Sequence, residues 1–304
     1  MPGDTLITNS AADSQQLRDS LNGLHLASLQ HHAPDNNGFY LLLIACLTGI
    51  PFFANWLWRQ YRQKMAYKAA EAALLSNYLR YDEWLAASNG YYKSLPPAMR
   101  SRFLERVARF TATKTIQCIN LPADEKMPLL IGAAAVQISF GLDKYMLDFF
   151  DTIYITQQQY NYGLYDKPFE GHVSSNGIYL SWDNFLKGYA DYTDADNVGI
   201  HEMAHALAYV NFMAGANNAQ DDAFIKRFYD FSAVARPIFN DMQQGAQNVL
   251  NDYAASNYNE FWAVAVETFF EQSLRMKVVM PELYASMCNL LNQDPLLPEK
   301  LSEN

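Results

Sequence analysis

Gly199–Tyr209 reads G-I-H-E-M-A-H-A-L-A-Y, and His201, Glu202 and His205 form H-E-x-x-H within it. Positions four apart lie on one face of an α-helix, about one turn from each other. Both imidazoles can therefore reach one metal ion, and Glu202 can reach a water held there and act as a general base. Zn²⁺ suits two histidines and a carboxylate. The flanks favour a helix: Ala204, Ala206, Leu207, Ala208 and Val210 are apolar or helix-forming, and no Gly or Pro occurs from Ile200 to Ala214. Asp196 or Asn197 can cap its start. The competing reading is a buried helix with two incidental histidines, and the rest of the chain must decide between them.

A 34.6 kDa chain with 50% hydrophobic residues can bury a full core, as one large domain or two. A net charge of −10 and a sequence pI near 5.0 argue against a general nucleic-acid binder. Cys46, Cys118 and Cys288 are odd in number, far apart and without C-x-x-C spacing. They offer no disulfide framework, fit a reducing compartment, and read as small core hydrophobes.

Residues 1–36 are polar and aperiodic and read as a disordered tail. Gly38–Trp58 then carries no charge over 21 residues. That is enough to cross a hydrocarbon core of about 30 Å as a helix. Trp56 and Trp58 at its end suit the membrane interface. The competing reading is a buried core helix. Arg59, Arg62, Lys64 and Lys68 follow the segment before any acid, whereas Asp4, Asp13, Asp19 and Asp35 precede it against Arg18. The positive-inside tendency then predicts a single pass of the inner membrane, with the C-terminal bulk facing the cytoplasm.

The remaining pattern predicts helices over 66–87, 98–112, 124–140, 221–234, 257–276 and 281–292, with the fourth stopped by Pro237. Thr115–Asn120, Thr152–Thr156 and Gly177–Trp182 read as strands, and 157–176 as a loop or irregular hairpin that includes His172. Gly177–Trp182, nearest the histidine helix in sequence, reads either as a sheet edge that could pair with a peptide or as an ordinary sheet strand. The fold class is α+β, helix-rich with a small sheet, after one N-terminal transmembrane helix. The domains expected are a tail at 1–36, the transmembrane helix at 37–58, a helical linker at 59–89, a catalytic domain at 90–296 and a tail at 297–304.

A zinc site needs a third protein ligand. The other histidines lie N-terminal to the motif, which points to a carboxylate on a later helix. Tyr253–Glu271 reads Y-A-A-S-N-Y-N-E-F-W-A-V-A-V-E-T-F-F-E and offers Glu260, Glu267 and Glu271. An unpaired carboxylate is costly in such apolar surroundings. Glu260 and Glu267, seven apart, share a helix face, and spacing does not choose between them. Glu271 reads as a surface charge.

Taken in order, N-V-G-I-H-E-M-A-H-A-L (197–207), D-Y-A-A-S-N-Y-N-E-F-W-A-V-A-V-E-T-F-F-E (252–271), G-I-Y-L-S-W (177–182) and the closing Q-D-P (293–295) resemble the Mlc titration factor A family of zinc-dependent peptidases. Its catalytic core is similar to that of anthrax lethal factor. The resemblance implies a zincin-like, gluzincin-type domain with zinc held by His201, His205 and Glu260 and with Glu202 as general base. It further implies Tyr253 as a hydrogen-bond donor to the oxyanion and Glu267 as a group orienting a ligand histidine. The activity implied is hydrolysis of peptide bonds in a peptide or protein substrate, with aminopeptidase action among its forms. A regulatory protein partner of the repressor type is implied by the resemblance only. The alternative is a zinc-containing binding or regulatory protein with little turnover. Ala208 stands where the family pattern H-x-L-D has an acid.

Overall fold

The computed structural model describes residues 37–161, 163, 168–215 and 219–298, together with Gln15 and Arg18. The remainder of the 1–36 tail and residues 299–304 of the C-terminal tail lie outside the described residues. The chain divides into two units, Met1–Tyr61 and Arg62–Asn304.

Helix α1 (Asn37–Ser88) starts in the first unit and contains Pro51. Its apolar stretch is exposed along its length, including Leu41, Leu47, Phe52 and Trp56. By length and composition it is the one helix, among the described residues, able to cross a membrane; its most apolar window has mean hydropathy 1.8 and none of that window is buried. Cys46 lies exposed on this stretch and not in a core, while Cys118 and Cys288 are partly buried; all three are free. A core helix at this position would bury these side chains, so the exposure sets this stretch apart from the buried helices of the second unit.

In the second unit, Ala70, Leu74 and Leu85 of α1 are buried. Asn89 ends α1 but also starts α2 (Gly90–Ser94), its Oδ1 accepting the Tyr92 N–H at 2.7 Å. Helix α3 (Pro97–Thr113) has proline in its first turn, where the missing N–H costs nothing, and it buries Phe103, Leu104, Val107 and Phe110. Then come strand β1 (Thr115–Ile119), helix α4 (Met127–Ser139) and strand β2 (Thr152–Thr156). Helix α4 is buried on nearly every side, as its unbroken apolar sequence requires.

Strands β3 (Gly171–Ser174) and β4 (Gly177–Ser181) form an antiparallel hairpin, followed directly by helix α5 (Trp182–Ala190). The sheet order is β1-β2-β4-β3, with β1–β2 and β2–β4 parallel. This decides between readings that the sequence left open. The strand at 177–181 is interior, buried on both faces except at Tyr179. One edge is β3, which forms inside the stretch read as a loop or irregular hairpin and carries His172.

Helix α6 (Val198–Phe212) carries H-E-x-x-H. Helix α7 (Asp222–Gln243) runs through Pro237 instead of stopping there. A proline inside a helix costs about 3 kcal/mol. Burial of Phe224, Phe231, Ala235 and Met242 on both sides of it outweighs that local cost. A 3₁₀ turn (Asp252–Ala255) leads into α8 (Tyr258–Glu271), which breaks at Gln272 before α9 (Ser273–Val279) and α10 (Pro281–Leu291). The predicted single helix over 257–276 is thus two.

The closing Q-D-P is structural. Gln293 is buried, accepts from the Tyr91 hydroxyl at 2.7 Å and donates to the Gln137 carbonyl at 3.0 Å. It ties the end of the chain to α2 and α4, where an unpaired buried amide would be costly.

Candidate metal centre

Asn197 starts α6 and satisfies several groups at once. Its Oδ1 accepts the Ile200 N–H at 3.1 Å, and its Nδ2 donates to the Gly188 carbonyl at 3.2 Å and to Glu271 Oε1 at 2.8 Å. Its backbone N–H donates to Glu267 Oε1 at 2.9 Å. On α8, Asn257 caps the helix by accepting from the N–H groups of Asn259 and Glu260. Glu260 therefore sits in the first turn, where the helix dipole favours a negative charge. The indole of Trp262 donates to the Ala204 carbonyl at 2.9 Å, fixing α8 against α6.

This packing places Glu260 and Glu267 on opposite sides of the His201 ring. Glu260 Oε2 lies 3.0 Å from His201 Nε2 and 3.3 Å from His205 Nε2, and the two Nε2 atoms are 3.1 Å apart. Glu267 Oε2 lies 3.2 Å from His201 Nδ1. The structure thus separates the two carboxylates that helix spacing left equivalent.

The donor set fits a metal ion. With Nδ1–H of His201 directed at Glu267, its Nε2 presents a lone pair in the neutral ring. That lone pair faces a carboxylate oxygen and a second imidazole nitrogen, an arrangement that suits a shared cation. Ligands about 2.0–2.1 Å from a tetrahedral Zn²⁺ would stand roughly 3.4 Å from one another, close to the observed 3.0–3.3 Å. Among the described residues, His201, His205 and Glu260 form the group able to hold a metal.

The electrostatics follow from the same contacts. Burial opposes a charge on His201, but the hydrogen bonds to Glu260 and Glu267 outweigh it and raise the pKa well above the ordinary value. Burial likewise acts to raise Glu260, yet the contacts from His201 and His205 bring it down to about 2. Glu202 is buried, and burial lifts its pKa to about 7 against the pull of the two histidines. Its Oε2 has no hydrogen-bond partner among the described residues.

A cleft of about 770 Å³ opens over this group. One wall is β3 with Phe169, another is the 3₁₀ turn with Tyr253, and Ala208, Phe212, Phe228 and Trp262 give an apolar end. Tyr253 is 54% exposed, its ring centroid 6.2 Å from that of His201. Burial and then the charges of Glu260, Glu202 and Glu267 keep its hydroxyl protonated by raising its pKa. His172, on the sheet edge, stacks on Tyr179 at 4.3 Å and shares a hydrogen bond with the Tyr160 hydroxyl through Nδ1 at 2.8 Å. Ala208 lines the cleft where the related pattern has an acid.

Glu271 is not the surface charge its sequence position suggested. It is held by Asn197, its Oε2 is buried without a partner among the described residues, and burial first, with Glu267 and Asp194 adding, raises its pKa to about 8. Its place one turn beyond Glu267 in apolar sequence was the available signal.

Residues 58–291 match the model of the glucose-regulated metallo-peptidase M90 family. The uncharacterized protein slr2042 of Synechocystis sp. is 22% identical over 227 residues, 68% of this chain and 81% of that protein. The span matched by the family model holds both histidines and all four acids of the centre. Because it also covers well over half of the chain, the chain belongs to the glucose-regulated metallo-peptidase M90 family.

Proposed function

We propose that the protein is a membrane-anchored, zinc-dependent peptidase of the Mlc titration factor A type. His201, His205 and Glu260 would hold the metal. The observation that carries this reading is the triangle of their three donor atoms at 3.0–3.3 Å, the spacing of ligands around one shared cation. Bound there, Zn²⁺ supplies Lewis acidity toward a carbonyl oxygen and lowers the pKa of water.

The protein's own groups do the rest. Glu202 takes the proton of the attacking water at its carboxylate and returns it to the leaving amine. Burial raises its affinity for that proton, which favours the uptake. The Tyr253 hydroxyl, kept protonated, donates to the oxyanion of the tetrahedral intermediate. Glu267 fixes the His201 tautomer through Nδ1. Strand β3 takes the extended peptide along its outer edge, and the apolar end of the cleft takes a side chain.

Residues 38–58 anchor the chain in the cytoplasmic membrane. The basic residues Arg59, Arg62, Lys64 and Lys68 keep the catalytic unit on the cytoplasmic side. Cleavage of a peptide library by the purified full chain, with and without chelator, tests the reading. Chelator-sensitive cleavage restored by Zn²⁺ supports it. A metal-loaded chain that cleaves nothing supports instead a zinc-containing binding protein.

A further inference from the structure

Gly171 lies on the edge strand β3, paired with Leu180 of β4. A β-carbon built on it would stand 2.5 Å from Cγ, 2.8 Å from Cδ and 2.7 Å from Oε1 of Glu202, and these are its three nearest heavy atoms. Relaxed carbon pairs sit about 3.5–4.0 Å apart, so one methyl group would overlap by about an ångström. The φ angle at Gly171 is not in the left-handed region. What this position requires is space, not glycine's conformational freedom.

No hydrogen bond fixes Oε2 of the buried Glu202 carboxylate among the described residues. Its helix is held to α8 by the Trp262–Ala204 bond. Strand β3 is held by β4 on one flank. Contact with the bare backbone of β3 therefore decides where the Glu202 side chain comes to rest.

We propose that Gly171 is a positioning residue whose missing side chain forms the seat that sets the Glu202 carboxylate beside His201 and His205. The proposal rests on the reading of Glu202 as the proton carrier. A misplacement of about 1 Å costs up to about 100-fold in rate. Gly171→Ala in the full chain should lower kcat by about 10- to 100-fold, with KM and bound zinc unchanged.

Melting temperatures give a readout independent of turnover. Gly171→Ala should lower Tm in the wild-type background. It should leave Tm unchanged or raise it in a Glu202→Ala background, where all three clashing atoms are gone. If the single variant does not fold, a folded Gly171→Ala/Glu202→Ala chain carries the proposal. An equal Tm loss in both backgrounds, a double variant that also fails to fold, or wild-type kcat in Gly171→Ala overturns it. Should the wild-type chain cleave no peptide, the reading of Glu202 as proton carrier fails, while the Tm cycle still decides whether Gly171 seats that side chain.

Discussion

Glu267 Oε2 lies 3.2 Å from His201 Nδ1, while its Oε1 accepts the Asn197 N–H at the start of the same helix. One carboxylate thus holds both the histidine ring and the helix terminus that presents it. Groups in this position fix the tautomer and raise the basicity of a ligand, and losing them costs about 10- to 100-fold in metal affinity. Glu267→Gln should therefore bind Zn²⁺ about 10- to 100-fold more weakly and still fold. Glu260→Ala should lose more zinc than Glu267→Ala under the same competing chelator. The reverse order in a competition titration would exchange the two roles.

Tyr253 makes no packing contribution that its exposed ring could not keep without the hydroxyl. Tyr253→Phe should retain zinc and melting temperature but lose about 100- to 1000-fold in kcat, the usual cost of removing one oxyanion donor. A rate within twofold of wild type would remove Tyr253 from the chemistry.

Glu271 makes stability depend on pH. Its folded pKa is about 8 against a reference of 4.5. Between those values the folded chain keeps a proton that the unfolded chain releases, so stability falls as pH rises through this window. Glu271→Gln removes the titration. Its Tm should gain on wild type by a few degrees from pH 5 to pH 8, and parallel Tm curves would contradict the assignment.

The proposed membrane anchor has a topological consequence. In sealed inside-out vesicles the catalytic unit should be exposed and digested by added protease. Protection of that unit would mean the opposite orientation, and recovery of the full chain in the soluble fraction would remove the anchor.

Local features of the sequence carry much of this architecture. The helix at 198–212 has a capping Asn197 and an unbroken run of helix formers, and Glu260 and Glu267 share a face through their spacing. Contacts that span long sequence distances are a different matter. Strand β3 has four residues and no alternation, and it exists through pairing with β4. The links from Asn197 to Glu267 and Glu271 join residues at least 70 apart. Pro237 is a local stop signal overruled by burial on both flanks. Which side of His201 each glutamate occupies depends on how α8 crosses α6, set in part by the Trp262–Ala204 bond.

In the proposed function, Glu202 moves the proton at a metal centre held by His201, His205 and Glu260. The most direct measurement is zinc content together with peptide cleavage for the full chain carrying Glu202→Gln. Because Glu202 is adjacent to the ligands but is not one of them, the variant should bind zinc as wild type does and lose cleavage by several orders of magnitude. Wild-type-like cleavage by a zinc-loaded Glu202→Gln chain would remove Glu202 from the proton transfer.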